Sequence, residues 1–509
     1  MAVKIYSATY IELQGKLIEV EVDILRGMPS FTIVGLPDAS VREARERVRS
    51  AIVNSGFQFP LGRITINLAP ADIRKIGSLL DLPIAIGILI ETGQIKGANI
   101  NEYICFGELS LNGDIKMVKG TLPIIIEGIN KGFYKYIFPY NNIEEASYIE
   151  DGIYYPFESL RQVVSFLNFH DVLPFDEFNR AVKDEEKFES FENVIGQENT
   201  KRALEISAAG KHNIILYGST GVGKTMLAKA LPSIMPDLSK KDELEIAKIY
   251  SISGMFEKGK KIKVPFRSPH HTATVSSITG GGRVLRPGEV TLAHKGILFL
   301  DELLEFKREV IEVLREPIEN KVIHINRFNN SVELPSDFLF VGVFNLCPCG
   351  LKTLDFTNND KCSCSEYQIS RYLNKLSKAI KDRVDLYAYV PKIQYKNFQD
   401  NNTKFTSENM KKVVENAREI QKERLAGTNY SYNSDIQGKD IYELCRVSSK
   451  CRMILRSYFN NAEPSLRAYG KVIKLARTIA DLSEEKDIEE NNIIEALNYR
   501  KDFNGDIVW

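Results

Sequence analysis

Net charge is the first thing this chain lacks. Its 509 residues carry 67 lysines and arginines against 67 aspartates and glutamates. No global field draws such a chain onto nucleic acid or an anionic membrane. Contact with a polyanion has to come from local basic patches or from several subunits lining a channel. Long apolar runs are missing too. The longest, Leu82-Pro-Ile-Ala-Ile-Gly-Ile-Leu-Ile90, ends at Glu91 and is too short to span a bilayer. The first residues, Met1-Ala-Val-Lys-Ile-Tyr-Ser7, hold no apolar core of signal-peptide length. These absences set the expectation of a soluble, cytoplasmic protein with no membrane partner. The 7 cysteines are an odd number in a long chain, which argues against a secreted disulfide scaffold. No internal repeat or low-complexity tract is visible.

What is present exceeds a single core, and ordinary domain sizes suggest about three domains. Residues 1–165 read as an α/β domain: Leu17–Ile24 alternates like a half-buried strand, and Phe31–Val34 is a second short strand. Asp38 is placed to cap a helix running through Val53, with Val41, Ala44, Val48 and Ile52 on one face. Residues 166–190 are expected to be a linker, because the charged stretch Lys183–Glu189 has no apolar period. From 191 to 400, apolar strands alternate with helical segments, the pattern of a parallel sheet covered by helices on both faces. Residues 401–509 read as helical.

The chemistry concentrates in this central segment. Asn213-Ile-Ile-Leu-Tyr217 is a short apolar strand that leads into Gly218, Ser219, Thr220, Gly221, Val222, Gly223, Lys224 and Thr225, and Met226–Leu231 continues as a helix. Strand, glycine loop and helix in this order form the phosphate-loop motif. Glycines let backbone N–H groups turn inward around phosphates, and the helix N-terminus adds partial positive charge. Lys224 supplies a point charge to the phosphates of ATP, and the Thr225 hydroxyl is a ligand for Mg²⁺. A second apolar strand, Ile297–Leu300, ends in Asp301 and Glu302. Asp301 suits Mg²⁺ coordination, and Glu302 suits orienting and deprotonating the attacking water.

With both motifs in place, the chain resembles the magnesium-chelatase-like AAA+ ATPases, and among them the ComM (YifB) family. The resemblance runs over nearly the whole length. It rests on Val194-Ile-Gly-Gln197, Pro265-Phe-Arg-Ser-Pro-His-His271, Gly280-Gly-Gly282, Pro287–His294, Asp301–Phe306, Cys347-Pro-Cys-Gly350, Asp382–Asp385 and Ala476–Asp481. Phe31–Asp38 and Asp81–Ala85 add the family's first domain. The resemblance implies a multidomain α/β protein. Its parts are a Lon-protease-like (ribosomal S5 domain 2-like) N-terminal domain, a central AAA+ parallel sheet with magnesium-chelatase-type insertions, and a C-terminal helical lid. It makes Asn345 the sensor beside the γ-phosphate and Arg467 a second sensor reaching the phosphates from the lid. Arg383 becomes the arginine finger serving a neighbouring subunit. The family's Gly-Pro-Leu-Leu is Lys378-Ala-Ile-Lys381 here, so Arg371 and Arg315 stay open as replacements for Arg383.

Three further features carry expectations. Cys347, Cys349, Cys362 and Cys364 form two close pairs, read either as a tetrahedral zinc site or as four reduced thiols. Lys258, Lys260, Lys261 and Lys263 lie on an expected hairpin, and Arg283 and Arg286 on an expected mobile loop. These cations are either solvated surface charge or a pore lining that tracks DNA phosphates. In the first domain, Ser78 is offset by one position from the Lon nucleophile, Leu79 stands about where that nucleophile would be, and Lys116 is a lone lysine. Peptidase activity is therefore not expected. The function implied is an ATP-driven ring, a homohexamer, acting on single-stranded or branched DNA by branch migration during natural transformation. The alternatives are a chelatase motor and a protein-remodelling ATPase.

Overall fold

The computed structural model describes residues 2–73, 75, 77–96, 99–176, 188–257, 259–282, 285–327, 330–354, 362–392, 405–460 and 466–501. It divides into two units, Met1–Asp184 with Lys240–Ile262, and Glu185–Ser239 with Lys263–Trp509.

In the first unit the alternating stretch forms the strand Gln14–Leu25, antiparallel to Val3–Ile11 on one side and Arg63–Ala69 on the other. Among the described residues the sheet has seven strands, ordered Ser30–Val34, Arg63–Ala69, Gln14–Leu25, Val3–Ile11, Tyr103–Cys105, Lys135–Pro139 and Ile153–Phe157. Asp38 caps the helix Ala39–Asn54, its Oδ1 accepting from the Val41 amide at 2.9 Å, and Val41, Ala44, Val48 and Ile52 are buried. The long apolar run becomes the helix Asp81–Glu91, buried from Asp81 to Leu89 between the sheet and the helix Ala39–Asn54. Its charged, buried start is held by Arg47, whose Nε lies 2.7 Å from Asp81 Oδ2. Burial lifts the Asp81 carboxyl to about 6 against the opposing pull of that guanidinium.

Residues 240–262 fall by sequence order inside the stretch expected to be the ATPase core, yet they belong to this first unit. The helix Lys240–Ser253 packs on Thr121–Asn130, and the Gly120 amide donates to the Ser251 carbonyl at 3.3 Å. Of the expected linker, residues 166–169 finish the helix Leu160–Phe169. The Phe175 amide donates to the Tyr154 carbonyl at 2.8 Å, and 177–187 lie outside the described residues.

The main sheet of the second unit has, among the described residues, five strands, all parallel, in the order Phe266–Arg267, Ile297–Leu300, Leu339–Asn345, Ile214–Gly218, Leu386–Tyr389. The first strand in sequence thus sits between the fourth and the fifth. That reversal of winding opens a crevice at the carboxyl ends of the strands, where ligands bind in open α/β sheets. Helices Glu198–Gly210, Ser407–Leu425 and Leu466–Leu482 pack together and share one apolar cluster with the sheet. Arg477 and Asp481, prominent in the Ala476–Asp481 stretch, are fully buried. The Asp481 carboxylate takes both Arg424 nitrogens at 2.6 Å and Arg477 Nε at 3.1 Å, so that motif is a structural clasp between helices. Among the described residues no helix is long and apolar enough to cross a membrane.

Candidate nucleotide site

The strand Ile214–Gly218 is buried throughout and delivers its glycine loop to the carboxyl edge of the sheet. Gly221 and Gly223 adopt φ of 80° and 91°, a region other residues enter only with strain. A Cβ at either would meet nothing within 4 Å, so the requirement is conformational, not steric. The helix Lys224–Ala230 comes directly after. Lys224 folds back into the loop, its Nζ donating to Gly218 O at 3.1 Å, Ser219 O at 2.6 Å and Asn345 Oδ1 at 3.0 Å. Burial brings its ammonium down to about 8, with the Asp301 carboxylate opposing. Three acceptors therefore hold the cation inside the loop.

Asn345 reaches this point because its strand pairs with the phosphate-loop strand in parallel register, Gly218 opposite Asn345. On the other flank, Thr225 Oγ1 donates to Asp301 Oδ2 at 3.0 Å. A hydroxyl and a carboxylate in contact at the mouth of a phosphate loop form a hard oxygen donor pair suited to Mg²⁺. Glu302 takes φ 50°, and its amide donates to Asp301 Oδ1 at 3.0 Å. Its carboxylate is directed into open space, 56% exposed, with His271 Nδ1 at 3.4 Å. Residues 218–225, 301, 302 and 345 are thus brought together.

His271, a neighbour of this site, stands in the Pro265–His271 stretch that carries the resemblance, where it was expected on an insertion near the central pore; its place beside Glu302 is what the sequence did not show. Phe266–Arg267 pairs in parallel with Ile297–Leu298, so the residues leaving one strand lie beside those leaving the other. Gln197 is the second such neighbour. Its Nε2 donates to Pro391 O at 2.7 Å and lies 3.5 Å from Val222 O, tying the stretch before the loop to the loop itself.

The two arginines expected as second sensor and finger, Arg467 and Arg383, lie away from the phosphate loop of this chain. Arg467, expected to reach the phosphates from the lid in a site shared between subunits, is 68% exposed and lies 3.1 Å from Glu319 Oε1. Arg383 pairs with the other oxygen of the same carboxylate, and donates to Arg315 O at 3.1 Å and Ala379 O at 2.8 Å. Both line a cavity of ≈ 640 Å³ whose walls include Asn213, Asp337 and Asp385, the residues that precede the strands. This is the amino edge of the sheet, about 15 Å from the phosphate loop at the usual rise per strand residue. The cause is the packing of Leu466–Leu482. Lys471 Nζ is fixed 2.9 Å from Asp385 Oδ1 and 3.1 Å from Val384 O, which anchors the helix start at that edge. Burial would raise the Asp385 carboxyl, but Lys471 and its neighbours outweigh it and hold it at about 2. Arg315 lies next to Arg383, with Nη2 3.2 Å from Ser377 Oγ, while Arg371 is exposed on Glu366–Leu373.

The four cysteine sulfurs converge within 4.8 Å of one another. Cys347 Sγ is 3.3 Å from Cys349 Sγ and 3.6 Å from Cys362 Sγ, and Cys349 to Cys362 is 3.5 Å. Zinc bound tetrahedrally by four thiolates spaces its sulfurs about 3.8 Å apart, so the quartet fits that ion. The basic segments are less convergent. Lys260 pairs with Glu257 at 2.5 Å, Lys261 lies 3.9 Å from Glu243, and Lys263 sits over the Phe188 ring. The hairpin expected there is irregular chain, with Lys258 outside the described residues. Arg286 is exposed at the start of the two-residue strand Arg286–Pro287, paired with Gly280–Gly281, and Arg283 lies outside the described residues. In the first unit, Ser78 bonds the Glu108 carboxylate, Leu79 is buried, and Lys116 pairs with Asp114 at 3.1 Å.

A phosphate loop, an acidic strand end and a polar residue on the strand between them, in this order of parallel strands, define the class: a P-loop α/β domain of the AAA+ type. Residues 190–398 match the family described as magnesium chelatase, subunit ChlI. Residues 20–142 match subunit ChlI of Mg-chelatase, and 404–500 match its C-terminal family. The chain is 39% identical over 506 residues to the competence protein ComM of Haemophilus influenzae, covering 97% of each chain. It is 39% identical to the uncharacterized protein YifB of Escherichia coli, covering 95% of this chain and 94% of that one. A magnesium-chelatase 67 kDa subunit of Chlorobaculum parvum is 24% identical over 160 residues, 31% of this chain and 23% of that one. The chain belongs to the ComM/YifB family of magnesium-chelatase-like proteins, and that membership suggests ATPase activity.

Proposed function

We propose that this protein is an ATP-hydrolysing ring motor that acts on DNA, driving branch migration in the recombination of incoming DNA during natural transformation. The observation that carries the ATPase part is the meeting of Lys224, Thr225, Asp301, Glu302 and Asn345 at one end of a parallel sheet. In this reading Lys224 and the loop amides hold the phosphates, Thr225 and Asp301 hold Mg²⁺, Glu302 takes the proton of the attacking water, and Asn345 positions that water. When bound there, Mg²⁺ would supply neutralisation of phosphate charge. The cysteine quartet is assigned to structural zinc.

Assembly is supported by Arg383 and Arg467, which sit at the edge opposite their own phosphate loop. A head-to-tail neighbour in a closed ring presents its carboxyl edge to that amino edge. Six subunits is the count proposed. The DNA substrate and the transformation role rest on the name of the Haemophilus relative and on the exposed Arg286. A chelatase motor is the second reading, favoured only by the partial Chlorobaculum match. The deciding experiment is ATPase activity with and without forked or four-way-junction DNA, then strand displacement on the same substrates. Turnover indifferent to every DNA structure would end the DNA reading.

Two substitutions test parts of it. Lys224→Ala removes the only side-chain cation inside the loop, and the charge-assisted bonds it makes to phosphate are worth about 1.5–3 kcal/mol. Nucleotide affinity, measured with a fluorescent ATP analogue, should fall roughly 10- to 100-fold, and unchanged affinity would contradict the assignment. Arg286→Glu should weaken DNA binding and flatten the log–log salt dependence by about one unit for each phosphate left unneutralised. An identical slope would make Arg286 ordinary surface charge.

A further inference from the structure

We infer that zinc at Cys347, Cys349, Cys362 and Cys364 seats the phosphate loop, so nucleotide affinity is set by a metal site that touches no nucleotide. The inference rests on the nucleotide site proposed above and adds a control to it. Its basis is the six residues from Asn345 to Gly350. Asn345 accepts from Lys224, Cys347 and Cys349 give two sulfurs, and the Gly350 carbonyl accepts from the Thr220 amide at 2.8 Å. A further bond, Gly350 N–H to Cys347 O at 3.0 Å, closes the turn between them.

Contact between this turn and the loop leaves no slack. Gly350 has φ 76°, and a Cβ built there would lie 2.0 Å from Thr220 Oγ1. Displacing the turn by even a fraction of an ångström therefore moves Thr220, whose neighbours turn their amides toward phosphate. The second cysteine pair gives the turn its anchor. Cys364 is joined directly to Ser365, which caps the helix Glu366–Leu373 in a reciprocal box with Gln368, at 3.3 and 3.0 Å. Just past that helix, Lys375 Nζ donates to Leu304 O at 2.6 Å, two residues beyond Glu302. One metal ion thus joins the segment that fixes Thr220 to a helix that grips the segment after Asp301 and Glu302.

Without the metal, the link between the two pairs is weak. Thiol–thiol bonds are poor, and the connecting stretch Thr357-Asn-Asn-Asp-Lys361 is polar. Zinc replaces these contacts with four metal–sulfur bonds, and structural sites of this kind contribute folding energy outright.

The test uses the full chain. Elemental analysis should find one zinc per chain. Chelation under reducing conditions should weaken binding of a fluorescent ATP analogue about tenfold, the factor expected when the competent loop is a minority state. Stoichiometric zinc should restore it, and excess Mg²⁺ should not. Hydrogen exchange should rise selectively over 214–225 relative to 198–210, and Cys362→Ser should behave as the chelated protein. Absence of zinc, equal affinity with and without it, or exchange that rises uniformly would each overturn the inference. The two readings fail differently: zinc-loaded chain that binds no nucleotide sinks the nucleotide site, whereas binding indifferent to zinc sinks only the coupling.

Discussion

A Glu302→Gln chain is expected to bind ATP at least as tightly as the unsubstituted protein and to hydrolyse it about 10²- to 10⁴-fold more slowly, the range general-base catalysis supplies. The geometry gives both halves of the expectation. Glu302 is held by Asp301, through its own amide, and its carboxylate lies beside His271, not against the loop residues that hold phosphate. Removing its charge takes away none of the phosphate ligands and relieves repulsion toward the nucleotide, so affinity should hold or rise. Glutamine keeps the length and can still hydrogen-bond His271, but it cannot accept a proton from water. The left-handed backbone is carried over unchanged, because the substitution leaves the main chain as it was. Single-turnover hydrolysis beside equilibrium binding separates the two effects. Unchanged turnover would remove Glu302 from the chemistry and turn attention to His271.

Local motifs were legible in the sequence because their parts are adjacent along the chain. The phosphate loop needs one strand, one glycine turn and one helix start, all within Ile214–Ala230. Asp38 as a helix cap was readable for the same reason. Features that depend on packing between distant elements were not. Nothing in the residues around Arg467 says that Lys471, one turn on, will lock onto Asp385 at the amino edge of the sheet. The apolar spacing of Leu466–Leu482 shows that a face is buried, not which end of its partner it lies along. The apolar run 82–90 was ambiguous in kind, since a short run without alternation fits a buried helix as well as a strand. Lys240–Ile262 shows the same limit at larger scale: its place in the first unit comes from contacts with Thr121–Asn130, far away in sequence.

Arg383→Ala is expected to cost about 10³-fold or more in steady-state turnover, as loss of an arginine finger does, while leaving nucleotide affinity of the isolated chain unchanged. The asymmetry comes from position. Arg383 faces the amino edge of its own sheet and pairs with Glu319, and in the proposed ring it is the phosphates bound by a neighbouring copy that it would reach. Its bonds to Arg315 O and Ala379 O hold the guanidinium stem, leaving the far nitrogen to exchange Glu319 for a γ-phosphate. Arg467, on the other oxygen of Glu319, is placed to move with it. Simple loss of activity would not separate this from local unfolding, but mixing does. Chains carrying Arg383→Ala keep an intact Glu302, and chains carrying Glu302→Gln keep an intact Arg383. In a ring assembled at random from equal amounts, roughly one junction in four pairs a competent site with a competent arginine. Two nearly inactive proteins should then regain about a quarter of the unsubstituted rate on mixing. Recovery requires that the arginine act across the junction. If the mixture stays as inactive as its parts while rings still form, Arg383 is not the finger, and Arg467 or Arg315 must be tested in the same way.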